Sequence, residues 1–275
     1  MPEKTFDPDD VAIQNLRTSV AELSDLAHEM INQVKFKESD HLGFMEGTFV
    51  CKQLEHLKSI SVLVGANQNR DAWVLSRIML EGLAILDWVA LKPELAFNWK
   101  AYGWVEQFKR SYSQSNYPEN RAETELMLNT CCRQYLKPGS KDKPQEKITP
   151  NDYLKNWKMD TNGSGKFIEK RIKEIFNETG LGQYYEAFYT TASGWLHWDS
   201  LSIAEAIQRG ADGRIMYGTE SKHMGGAALT SGFIALLGSA GLLNDHLNLG
   251  FSDHLRNMAL KGLRAKDSMS ISTKE

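Results

Sequence analysis

The sequence predicts an all-α fold, a single-domain bundle of about eight helices with a short turn or hairpin near 209–222. Three observations predict it. Long proline-free runs carry apolar residues three and four apart, which is the helical period. No run alternates strictly between apolar and polar residues, as a half-buried strand would. Trp73, Trp88, Trp99, Trp104, Trp195 and Trp198 all lie on the expected helices, where their bulk suits the space between packed helices.

Taken in order, Val11, Leu16, Val20, Leu23, Ala27 and Met30 mark a helix within Asp7–Val34 that starts near Asp9. His41–Ala66 reads as the second helix and Asp71–Leu91 as the third, with Asn69 as a plausible N-cap. Pro93 suits the first turn of a fourth helix that runs to about Tyr112, and Pro118 opens a fifth that ends near Tyr135. The segment 137–150, KPGSKDKPQEKITP, holds three prolines and almost nothing apolar, so it reads as an inserted loop. A short helical turn is expected over Asn151–Trp157, and a helix over Lys166–Glu178 that ends at Gly180. Gly182–Gln208 reads as a long aromatic-rich helix, Arg209–Arg214 as a turn and Ile215–Tyr217 as a short extended piece. Met224–Leu249 and Asp253–Arg264 close the domain at about residue 265, and 266–275 should form a disordered tail.

The composition excludes several classes. With 275 residues and 41% hydrophobic content, the chain can bury a full core and is too apolar for intrinsic disorder. Lys+Arg total 32 against 35 for Asp+Glu, a net charge of -3, which argues against a histone-like nucleic-acid binder. Cys51, Cys131 and Cys132 form neither a disulfide framework nor a zinc knuckle, so a reducing cytoplasm is the expected compartment. The first residues are polar and carry no signal-peptide core. Ala227–Leu243 is the most membrane-like stretch, but Thr230, Ser231, Gly232, Gly238, Ser239 and Gly241 interrupt it; it reads as a buried helix, and no membrane association is expected.

The usual nucleotide-binding, metalloprotease and serine-hydrolase motifs are absent. Gly163–Lys166 contains GSGK without the first glycine of a phosphate loop, so it reads as a turn. No pair among the histidines has metal-ligand spacing, and neither a metal nor an organic cofactor is expected. Two patterns stand out. Arg77 and Glu81 are four apart on an otherwise apolar helix, so they share a face and need partners if they turn inward. They suit an anion-binding arginine steadied by a carboxylate, a catalytic acid, or a structural ion pair. Tyr185, Tyr189, Ser193 and His197 recur every four residues, a stripe in which Ser193 and His197 could meet as hydroxyl and imidazole. That stripe suits acid–base or nucleophilic chemistry flanked by two substrate-binding tyrosines, or a core histidine satisfied by its neighbours.

The Arg77–Glu81 helix followed by Tyr189 and the Ser193–His197 helix resembles a large group of uncharacterised helical bacterial proteins, over roughly 42–249. The resemblance implies that Arg77, Glu81, Ser193 and His197 form the site. That group is also similar to the HEPN superfamily, many of whose members are ribonucleases of toxin–antitoxin and anti-phage systems. HEPN nucleases typically carry an arginine followed four to six residues later by a histidine, and no arginine here has a histidine at that distance. Arg77 would therefore have to reach His197 from another helix. Two function classes follow. One is a metal-independent ribonuclease or phosphodiesterase, with RNA as substrate and an antitoxin or defence protein as partner. There His197 would be the acid or base, Arg77 would stabilise the phosphorane charge, and Glu81 would orient Arg77. The other is a non-catalytic binding or assembly protein with a buried Arg-Glu/Ser-His lock. The small-residue stretch Gly225–Leu243 suits close helix packing and leads us to expect a homo-oligomer, most simply a homodimer.

Overall fold

The computed structural model describes residues 8–113, 122, 126, 170–197, 207–209, 214–217 and 222–272. The first four helices lie close to their expected bounds: α1 Pro8–Gln33, α2 His41–Gly65, α3 Asn69–Ala90 and α4 Glu94–Ser113. They are followed by α5, Ile172–Glu178. The helical run α6 begins with Gly182–Tyr184, widens into a π-helical turn at Tyr185–Tyr189 and continues as Thr190–Leu196. Strands β1, Ile207–Arg209, and β2, Ile215–Tyr217, pair antiparallel, with Ile207 opposite Tyr217 and Arg209 opposite Ile215. Helices α7, Lys222–Leu247, and α8, Ser252–Ser272, complete the described chain. The architecture is an all-α bundle with one small ribbon.

By its internal contacts the chain divides into two compact units, 1–90 with 172–275, and 91–171. In the second unit α4 buries Ala96, and Ala122 and Leu126 are helical. The remainder of the fifth helix, the loop at 137–150, the turn at 151–157 and the GSGK segment lie outside the described residues, as do Cys131 and Cys132.

The first unit is built around α7, which packs against α3, α2, α1 and α8. An apolar surface all round a helix requires neighbours all round. The span His223–Leu247 is apolar and long enough to cross a membrane, with a mean hydropathy of 1.6, but 67% of its apolar window is buried inside the protein. Its glycines set the packing distance. A Cβ on Gly232 would come 2.8 Å from Leu57 Cδ1, and one on Gly238 would come 2.8 Å from Leu83 Cδ1. The small-residue stripe offered above for self-association therefore serves α2 and α3 of the same chain. On α1 the residues Leu16, Val20, Leu23, Ala27 and Met30 are all buried, as their spacing predicts.

Three helices stop in the same way. Asn67 (φ 59°), Gly180 (φ 73°) and Asn248 (φ 51°) turn left-handed after α2, α5 and α7. The next N–H then reaches back into the helix: Gln68 to Leu63 O at 2.8 Å, Leu181 to Phe176 O at 2.8 Å and Leu249 to Asn244 O at 3.2 Å. Glycine and asparagine tolerate that conformation, so the stop is local chemistry. After α7 the buried Asn244 also fastens the turn: its Oδ1 accepts from Phe251 N at 2.8 Å, and its Nδ2 donates to Ser252 Oγ at 3.0 Å.

Several expected boundaries are corrected. Ala72 N–H bonds Gln68 O at 3.1 Å, so Asn69 is not the cap of α3. It is buried instead, where a Cβ on Gly225 would collide with its Oδ1. Lys170 and Arg171 are not helical, so α5 begins at Ile172 rather than Lys166. The aromatic helix does not extend to Gln208, because 207–209 pairs with β2 and ladder bonds replace helical ones. Beyond Arg264 the expected tail continues as helix to Ser272.

Candidate functional site

Helix α6 lies antiparallel on α3. The Arg70 guanidinium carbon sits 5.0 Å from the ring centroid of Trp195, that of Arg77 sits 4.4 Å from Tyr189, and Trp88 Nε1 donates to Glu178 Oε2 at 2.9 Å. Numbers rise along α3 as they fall along α6 and α5, which fixes the direction. Tyr189 occurs where α6 widens. Thr190 N–H reaches Tyr185 O across the π turn, and the rings of Tyr185 and Tyr189 stack at 5.1 Å and 18°. Such widened turns recur at functional sites.

Tyr189 is the hub. Arg77 Nη2 donates to its hydroxyl at 2.6 Å, and that hydroxyl donates to Glu81 Oε2 at 3.1 Å. Arg77 and Glu81 are themselves 3.5 Å apart, with side-chain exposures of 13% and 36%. The guanidinium thus touches the same tyrosine twice, as a hydrogen-bond donor and over the ring face. Burial and the neighbouring Glu81 carboxylate push the Tyr189 phenol up to about 12, while Arg77 pulls the other way. The hydroxyl keeps its proton and can serve both partners, one as acceptor and one as donor. Tyr185 lies beside this hub, edge-on to Phe176 at 5.4 Å and under Lys173 Nζ at 5.5 Å.

The other half of the expected site stands apart. His197 is the exposed C-cap of α6, and its backbone N–H bonds Ser193 O at 3.0 Å. Among the described residues, no side-chain hydrogen bond joins Ser193 to His197, and none joins either to Arg77 or Glu81. Eight residues of rise, about 12 Å, separate His197 from Tyr189 along the helix. The structure therefore brings Arg77, Glu81, Tyr189 and Tyr185 together, and leaves Ser193 and His197 toward the end of α6 where Trp195 meets Arg70. His223 is exposed and lines a cleft of 390 Å³ with Trp73, Phe188 and Thr191.

A further cluster escaped the sequence reading. His246 Nδ1 lies 2.9 Å from Glu46 Oε2, and its Nε2 lies 3.5 Å from Asp40 Oδ1. Asp40 also caps α2, accepting from Gly43 N at 2.9 Å. Burial, then the Asp40 charge, raises the Glu46 carboxyl to about 8. Nothing local in sequence signals this contact, since His246 is at the far end of α7. Among the described residues, no group of three potential ligands is placed to hold a metal ion. Cys51 is exposed overall, and partial desolvation of its thiol, with Glu55 nearby, raises its pKa, the reverse of an activated thiolate.

A sequence family of unknown function, DUF5677, matches residues 45–214. The chain belongs to this family. The match takes in Arg77, Glu81, Tyr185, Tyr189, Ser193 and His197, and leaves α1, α7 and α8 outside. The matched span ends well short of residue 249, where the resemblance read from the motifs ended. Comparison with curated proteins gives no match, and neither does comparison with solved structures.

Proposed function

We propose that this protein is a non-catalytic binding or assembly protein in which Arg77, Tyr189 and Glu81 form a partly buried polar lock. The observation that carries this reading is the Tyr189 hydroxyl, which is bonded to both Arg77 and Glu81 while the guanidinium lies over its ring. A cation held in this way fastens α6 to α3. Ser193 and His197, expected in the same lock, are outside its hydrogen bonds. The fastening matters because α6 supplies an aromatic wall, Tyr184 and Phe188, to the largely apolar hollow described below. The cysteine usage favours a cytoplasmic setting, and self-association stays part of the reading through surfaces other than the buried glycine stripe.

Two observations favour a second reading, the HEPN-like ribonuclease of a toxin or defence system. His197 is exposed, as a general acid or base must be, and the buried Nε of Arg77 has no partner among the described residues. Induced expression of wild type beside His197→Ala separates the two. Intact total RNA and equal growth are expected. RNA cleavage that disappears in the alanine variant would establish the nuclease and overturn the binding reading. Light scattering at micromolar concentration should show a dimer; a monomer removes self-association.

A further inference from the structure

A hollow of about 460 Å³ lies between α1, α3, α6, α7 and α8 of the first unit. Its volume is in the range of small-molecule sites, roughly 300–1,000 Å³. The wall is mainly aliphatic and aromatic, with Leu16, Leu83, Phe188, Phe233 and Leu237 as its larger surfaces. Two features maintain it. Gly262 leaves room for the Phe233 ring, which a Cβ there would meet at 2.5 Å, and the Tyr189 lock seats the helix that carries Phe188.

Among the described wall residues one carries a charge. Asp87, one turn beyond Leu83 on α3, is the single ionisable acid or base among the described lining residues apart from the phenol of Tyr184. Asp87 has no ion pair and no hydrogen bond among the described residues, and partial burial raises its pKa. Of the neutral polar groups in the wall, Thr230 already donates to Gly226 O at 2.9 Å. A carboxylate drawn out of water without a partner is costly, and a bound cation would relieve that cost. An anion would meet the reverse, an unpaired like charge in an apolar setting.

We propose that this hollow is a binding site for a small hydrophobic amine, whose apolar body fills the aliphatic and aromatic wall and whose ammonium group pairs with Asp87. The charge complementarity of Asp87 selects this occupant over a neutral lipid or a fatty acid, which would bury the same apolar surface and leave the carboxylate unpaired. The proposal rests on the binding reading above and specifies its ligand class.

Calorimetric titration of the purified full chain with octylamine, octanol and octanoate tests it. All three probes carry the same alkyl body, and octylamine is protonated at neutral pH. Octylamine should bind about tenfold or more tightly than octanol, and octanoate should be weakest. Asp87→Asn should erase the preference for the amine, weakening octylamine about tenfold or more while octanol binds at least as tightly as to wild type, since no unpaired carboxylate is left against the neutral probe. Leu263→Trp, at the half-exposed rim, should weaken all three probes by closing the mouth. Equal binding of octanol or octanoate, amine binding unchanged in Asp87→Asn, or no binding of octylamine would each overturn the proposal. If Asp87→Asn fails to fold, the ranking of the three probes on wild type and the Leu263→Trp variant still decide. Failure here with intact RNA in the expression experiment removes the amine site and leaves the binding or assembly reading in place; RNA cleavage removes that reading whatever the titration gives.

Discussion

Replacing Arg77, Glu81 and Tyr189 together by Met, Leu and Phe is expected to leave the stability near that of wild type, while Arg77→Met/Glu81→Leu alone should lose about 1–3 kcal/mol. A simple ion pair would predict the opposite for the double variant, because removing both charges of a pair is often neutral. The third member changes the outcome. The buried Tyr189 hydroxyl bonds both partners, so the double variant leaves it with neither and its desolvation is uncompensated. Tyr189→Phe in the same background removes the stranded hydroxyl and should restore most of the loss. Single Arg77→Met should fall in the same range, since it forfeits both the hydrogen bond and the contact with the ring. Urea midpoints of the four proteins measure this. A triple variant that unfolds earlier than the double would show that the lock is not a closed unit. The same variants bear on function, because a lock that only fastens α6 leaves the triple variant able to bind, whereas an anion site would lose its ligand with the charge.

The second large effect is a dependence on pH centred on Glu46. Its carboxyl is raised from 4.5 to about 8 by burial and by Asp40. Below about pH 4.5 the group is protonated in both folded and unfolded chains and contributes no difference. Between about 4.5 and about 8 the unfolded chain releases this proton while the folded chain keeps it, so stability falls as pH rises, by at most about 1.4 kcal/mol per unit. Above about 8 both forms are ionised and the contribution levels off at its least favourable value. Glu46→Gln carries no titrating proton and keeps the size and polarity that face His246. The difference in unfolding free energy between variant and wild type should therefore grow across this window in favour of the variant. Comparing the two proteins at each pH cancels the titration of groups common to both. A difference that stays flat from pH 5 to pH 9 would remove the buried-acid assignment.

Each stability result depends on a contact between segments distant in sequence, and the same division runs through the whole reading. The helices α1 to α3 were legible because their patterns are local, although Asn69, expected as the cap of α3, lies inside it. Leu16, Val20, Leu23 and Ala27 declare a buried face within a few turns, and Gly180 stops α5 within one residue of its own peptide bond. Arg77 and Glu81 were legible as a pair because four residues of helix bring them to one side. Local pattern failed where two states compete over the same few residues. Ile207 and Gln208 fit the end of a helical run and Arg209 the start of a turn, and pairing with Ile215–Tyr217 made all three a strand. It also failed at the stripe from Tyr185 to His197, which assumed one regular helix, whereas the π turn stacks the tyrosines and the docking on α3 selects Tyr189 over Ser193 and His197.

By itself, then, the sequence determined the fold class, the helix faces and the Arg77–Glu81 pair, because these follow from the periodicity and conformational preference of short segments. The tertiary structure decided which residues those charges meet. Tyr189 reaches Arg77 across 112 positions, and His246 meets Glu46 from the other sequence segment of the first unit. The unpaired Asp87 became meaningful once α7 and α8 enclosed it beside apolar walls. A charge has the same local pattern whether it faces water or a hollow; its free energy depends on the surroundings that packing supplies.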